Sequence, residues 1–254
     1  MTASTAAGVA VRTWDPRSDR KAYLAWIGFI WAAILLGFGL DFTRYMGERP
    51  APPLILNLHG AVYVVWLCLV TTQILLVEGG KVRLHRQLGW WTVGLSATMA
   101  PLGVVAALVD KARLFGRPDA DLQFLSLEFV DMLLFAVLMT AGVLWRKNVA
   151  AHKRLMILAA VSLSDAGFGR IWTIGIKTTL PGPFGWWLQY FWGAALLLVA
   201  MAAWDLWRRR RIHPAVQFGA AVLLSGEMVA TVLYFTPGWA GVASGLVQAW
   251  GYRG

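Results

Sequence analysis

Seven stretches of about 20 apolar residues recur along the chain, at 23–45, 54–77, 88–109, 122–145, 155–176, 186–207 and 215–235. Each is long enough to cross roughly 30 Å of hydrocarbon. Backbone at that depth must satisfy its own hydrogen bonds, which leaves helices or a closed barrel, and continuous apolar runs of this length belong to helices. The fold expected is therefore all-α, a polytopic membrane bundle of about seven transmembrane helices. Breakers fall between the runs, among them Pro52-Pro53, Gly79-Gly80, Gly116 to Pro118 and Pro181-Gly182-Pro183. The hydrophobic fraction is 58%, against roughly 45–50% in soluble domains.

Lysine and arginine set the expected orientation. With the N-terminus in the cytoplasm, the N-terminal segment and the second, fourth and sixth loops carry four, three, four and four of them, against seven on the other side. Residues 1–21 then form a cytoplasmic segment, 22–236 the seven-helix domain, and 237–254 a non-cytoplasmic C-terminal tail. The first 21 residues mix acids and bases without an apolar run, so no cleavable signal peptide is expected. The setting expected is a bacterial inner (plasma) membrane, with the lipid bilayer as the first partner. The net charge of +10 is accounted for by basic residues at helix ends, which face anionic headgroups, so nucleic acid is set aside as a partner. A single cysteine, Cys68, leaves no intramolecular disulfide.

Ionisable groups inside a span are costly, so those present mark candidate functions. His59, Glu128, Asp131, Asp165, Arg170 and Glu227 all fall in the outer half of their helices, with Gln189, Asp41 and Arg44 nearer the outer surface. Helical spacing places His59, Tyr63 and Trp66 on one stripe, Glu128 and Asp131 three residues apart, Asp165 with Trp172, and Glu227 with Thr231 and Tyr234. Four polar seams packed inward would build one site. Arg170 lies about 140° around its helix from Asp165, so its partner is expected across the bundle, among Glu128, Asp131 and Glu227.

Several readings follow. In the preferred one, His59, Glu128, Asp131, Asp165 and Glu227 bind a divalent metal or act as general acid and base, with Tyr63, Trp66, Arg170, Trp172, Gln189, Thr231 and Tyr234 lining a small-ligand site that could serve a membrane-embedded enzyme. In a second, the same acids are protonated in a proton-coupled transporter of a small solute. In a third, His85 and His152 ligate haem b in a membrane redox protein. In the last, the charges only lock helices together as an ion-pair network.

The segments Leu58-His59-Gly60 and Leu84-His85-Arg86-Gln87-Leu88-Gly89-Trp90, joined by an apolar helix, resemble a pattern in uncharacterised bacterial multipass membrane proteins, in which a helix histidine precedes a His-Arg-x-x-Gly loop. That group is distantly similar to b-type membrane cytochromes such as cytochrome b561. The resemblance covers the second and third spans and implies the haem reading.

Overall fold

The computed structural model describes residues 19–49 and 51–251, and everything below refers to them. They form eight α-helices and no strand: α1 Arg20–Gly47, α2 Leu54–Glu78, α3 Val82–Leu114, α4 Leu125–Leu144, α5 Val149–Arg170, α6 Gly182–Arg209, α7 Pro214–Phe235 and α8 Pro237–Trp250. A π-helical segment, Ile171–Ile176, continues α5. The first seven are long and apolar enough to cross a membrane, and the chain is an integral membrane protein. Most of the expected cytoplasmic segment, residues 1–18, lies outside the described residues.

Local signals place the helix starts. The Asn148 side chain accepts a hydrogen bond from Ala151 N at 3.1 Å, an N-cap for α5. Proline opens α7 and α8, where its missing N–H costs nothing. Helices α3 and α5 begin earlier than the apolar runs do, so His85 and His152 lie inside helices, not ahead of them.

α5 is the axis of the bundle. It packs on α1, α4, α6 and α7, while α1, α2, α3, α4, α7 and α6 contact one another in that order around it. Small residues set the closest crossing: a Cβ on Gly167 would lie 2.6 Å from Ala33 O, and one on Gly37 would strike the Gly167 carbonyl. The two backbones meet because neither helix has a side chain there. On the other flank the Phe168 ring lies against Gly193 of α6. Residues 237–250, expected as part of a tail, form α8, whose Ala243 and Val247 pack with Ala107, Leu108 and Leu125.

The two ends of the bundle differ. One, called the basic end below, carries the 79–81, 145–148 and 210–213 connections. There Arg154 of α5 forms a buried two-bond ion pair with Asp205 of α6, Asp205 also accepts from His213 N at 2.9 Å, and Lys153 reaches Asp19 at 2.6 Å. Burial alone would raise the Asp19 carboxyl, but the Lys153 and Trp204 hydrogen bonds and nearby Arg154 outweigh it and hold it below its ordinary value.

His213 gives this end a pH response. Its Nδ1 accepts from Ala215 N at 3.0 Å, capping α7, and burial, reinforced by Arg154 and Arg209, pulls the imidazole down to about 4 from an ordinary 6.5. A base whose folded-state pKa is depressed binds its proton more readily when unfolded, so its contribution is complete above pH 6.5 and lost as pH falls towards 4. Protonating Nδ1 also removes the cap. We expect thermal unfolding in detergent to show falling stability across that window. His213→Asn, which keeps a capping oxygen and does not titrate, should flatten the response; an unchanged slope would remove His213 as its source.

Candidate functional site

At the opposite end, acids from three helices converge on α5. Asp131 of α4, Asp165 of α5 and Glu227 of α7 have relative exposures of 6%, 2% and 0%. They act on one another electrostatically: Asp131 is close enough to be influenced by Glu227 and Glu128, and Asp165 by Asp131 and Glu227. The Trp187 indole donates to Glu227 Oε2 at 3.0 Å. Both carboxylate oxygens of Asp165, Oδ1 of Asp131 and Oε1 of Glu227 are buried without a hydrogen-bond partner. Leaving such groups unpaired is expensive, which sets the cluster apart among the described residues.

The cluster exists because α5 holds Asp165 on a tightly enclosed segment. Gly167 admits α1, and a Cβ on Gly169 would come 2.9 Å from the Tyr190 ring of α6. Just beyond, the change from α to π geometry loosens the backbone, and side chains satisfy its carbonyls: Trp192 Nε1 donates to Phe168 O at 3.2 Å and Thr173 Oγ1 to Gly169 O at 2.8 Å. π-helical turns are often found at functional sites.

Arg44, Lys111, Arg113 and Arg170 at this end are engaged with other acids. Arg170 does not cross to Glu128, Asp131 or Glu227 as expected; its Nε donates to Asp41 Oδ2 of α1 at 3.1 Å, and its guanidinium lies over the Phe38 ring. The reason is the glycine-mediated contact of α1 with α5, which brings Asp41 beside the end of α5. Asp41 also takes two bonds from Arg44, which reaches Glu48 at 2.8 Å, and Glu48 meets Arg113 at 2.7 Å. Arg113 in turn pairs with Asp110. Charges alternate along this chain of contacts from α5 to α3. Lys111 sits 3.6 Å from Glu128, which gives Glu128 a counter-charge that the other three acids lack.

The remaining expected site residues divide between this region and the connections beside it. The His59 ring lies 4.2 Å from that of Tyr63, and the Tyr63 hydroxyl faces Met99 O at 3.1 Å and Met132 Sδ at 2.7 Å, near enough to Asp131 to feel its charge. His59 Nδ1 is buried and unpartnered, and the charged group acting on it is Arg170. Trp66 packs edge-on against Phe135. Thr231 donates back to Glu227 O, 2.7 Å away in its own helix. Gln189 accepts from Leu180 N at 3.3 Å, Trp172 donates to Thr178 O at 2.7 Å, and Tyr234 donates to Asp121 at 2.8 Å, so these three fasten connections. Among the described residues no group of three or more His, Cys, Asp and Glu side chains is placed to hold a metal ion, so the preferred metal reading of the acids finds no support in the geometry.

Three features escaped the sequence reading. Asp205 stands inside the apolar run of α6, an acid within a span and thus a usable signal, but its neighbour Arg208 to Arg211 cluster masks it. Arg154 and Lys111 read as loop residues because hydropathy ends their spans too early. The histidines of the haem reading do meet: His85 and His152 have ring centres 6.3 Å apart. Comparison with family models, with curated proteins and with solved structures finds no match to the chain.

Proposed function

We propose that Asp131, Asp165 and Glu227 form an intramembrane proton-binding site that couples protonation to the movement of a small solute. The observation that carries this reading is that, among the described residues, no cation is paired with these acids: three deeply buried carboxyl groups have four oxygens without a hydrogen-bond partner, while Arg170, Arg113, Arg44 and Lys111 are committed to other acids. Three ionised carboxylates so placed would each carry a desolvation penalty of several kcal/mol. A bound proton removes that penalty and is also exchangeable, which is how transporters use intramembrane acids. A purely structural ion-pair network accounts well for Asp41, Arg44, Glu48, Arg113 and Asp110, whose charges alternate, but not for three acids without a base.

Two measurements test the proposal. Infrared difference spectra across a pH step should contain bands of buried carboxyl groups, and Asp165→Asn should remove one of them. Proteoliposomes under an imposed pH gradient should take up solutes from a panel of small metabolites, with uptake falling at least tenfold in Glu227→Gln. Spectra with no band that responds to substitution at any of the three positions would end the reading.

A further inference from the structure

The outer surface of α4 and α7 carries a groove of about 470 Å³ that the proposal above does not use. It runs along α4 from Ala136 to Trp145 and finishes at the basic end, where Phe218 of α7 stands edge-on to the Trp145 ring with centres 5.3 Å apart. Side-chain size makes it. Ala136, Thr140 and Ala141 are short, Leu144 and Trp145 beside them are long, and α7 flanks them with Phe218. The volume falls within the roughly 300–1,000 Å³ of small-molecule sites. Leu144, Trp145 and Phe218 are exposed, so the groove opens sideways into the surrounding hydrocarbon.

Polar groups stand at graded depth along it. Trp145 marks the interface, the level tryptophan prefers. Exposed Arg146 and Lys147 follow it directly, and exposed Arg210 and Arg211 lead into α7. The Arg146 guanidinium is held at the end of α4, donating to Val143 O at 3.1 Å and lying over the Trp90 ring, which leaves most of its donors available. The acids Asp19 and Asp205 of this end are buried and bound by Lys153 and Arg154 respectively. The mouth of the groove is therefore cationic. Thr140 lies about 7.5 Å deeper than Trp145 along the helix axis, at the lower edge of an interfacial layer about 5–8 Å thick. Threonine hydroxyls in other spans fold back on their own helix, as Thr71 does on Leu67 O at 2.8 Å and Thr92 on Leu88 O at 3.1 Å. The exposed Thr140 hydroxyl, on the groove wall, makes no hydrogen bond to any described residue.

We infer that this groove binds one anionic phospholipid of the bilayer, of the phosphatidylglycerol type. One acyl chain lies along Ala136 to Leu144, an ester carbonyl accepts from Thr140, and the phosphate sits among the basic residues that follow Trp145. Charge outermost, ester below it and hydrocarbon deepest is the order in which a phospholipid presents its own groups, and the groove presents their complements in the same order. A free fatty acid has its polar atoms at one level and would leave either Thr140 or Arg146 unused. A zwitterionic lipid brings a phosphate too, but its ammonium group would face Arg146, Lys147, Arg210 and Arg211 with no exposed partner in Asp19 or Asp205.

The experiment uses the full-length chain in nanodiscs that mix phosphatidylglycerol and phosphatidylcholine with the same acyl chains, followed by native mass spectrometry after release into mild detergent. One phosphatidylglycerol should stay on each chain, enriched over phosphatidylcholine about fivefold or more, the worth of one basic side chain at an anionic headgroup. Ala136→Phe, which fills the groove, should abolish retention, while Val199→Phe, a similar change on an exposed position of α6, should not. Thr140→Val should weaken retention about 2–10-fold, as for one lost hydrogen bond, and Arg146→Gln with Lys147→Gln should erase the enrichment. On the unmodified protein, phosphatidylglycerol with a photoreactive acyl chain should label residues 136–145, a readout that needs no variant. The inference is overturned if no lipid is retained, if the two lipids are retained equally by the parent, if Val199→Phe acts as Ala136→Phe does, or if the label spreads over all the outward-facing helices. A dimer that Ala136→Phe splits would also overturn it, by giving the groove to a second copy of the chain.

Discussion

Replacing Arg154 by alanine is expected to remove about 3–5 kcal/mol of stability, the cost of stranding one member of a buried ion pair. The side chains of Arg154 and Asp205 are 2% and 1% exposed, so water cannot take over when the guanidinium is lost. Asp205 would keep its bond from His213 N but lose its counter-charge, and α5, α6 and the start of α7 are joined through that one carboxylate. The pair itself is not the source of the stability, since well-packed apolar groups often serve as well. Hence Arg154→Met with Asp205→Leu should recover most of the loss, short of the roughly 1–3 kcal/mol for the unpaired His213 N–H. Denaturant titration in mixed micelles measures both, and a single variant within 1 kcal/mol of the parent would show that the pair is hydrated in solution.

The second large effect is steric. Gly28 and Gly37 lie on the same helix, yet a Cβ at Gly28 meets nothing within 4 Å while one at Gly37 collides with the Gly167 carbonyl. Gly28→Ala should therefore be neutral or stabilise by up to about 1 kcal/mol through helix propensity. Gly37→Ala should cost about 1–3 kcal/mol or more, because backbone cannot rotate away as a side chain can. Separating α1 from α5 also draws Asp41 from Arg170, so a disulfide trap or spin-label distance across that pair should lengthen in the Gly37 variant alone. Equal stabilities for the two variants would refute the close crossing.

How far the sequence could be read depended on which property encoded the answer. The seven spans were legible because length and apolarity are imposed by the bilayer. Their arrangement was not, since hydropathy does not report burial. The α5 span, with a mean hydropathy of 1.3, is the most enclosed, whereas the α2 span, at 2.1, is the least. A helix surrounded by protein can hold Ser162, Asp165 and Arg154, while one facing acyl chains cannot. Asp131, Asp165 and Glu227 were legible as a group because depth and facing are properties of single helices. The partner of Arg170 was not, since spacing along α5 gives an angle but does not reveal that Gly37 and Gly167 bring α1 beside it. The proximity of His85 and His152 could be anticipated by matching the starts of two helices that leave the same end of the bundle.

The low apolarity of the most enclosed span bears on how the chain enters lipid during synthesis. A segment carrying Arg154, Asp165 and Arg170 is a poor candidate to partition alone, since each ionised group costs roughly 2.5–3.5 kcal/mol on biological insertion scales. Its earlier-made neighbours α1 and α4 present the surfaces it needs, but Asp205, which neutralises Arg154, is translated later, on α6. Asp19, 3.8 Å from Arg154, is already made, but the two-bond partner is not, so a waiting step is expected in biogenesis, in which α5 settles fully only after the sixth segment has left the ribosome.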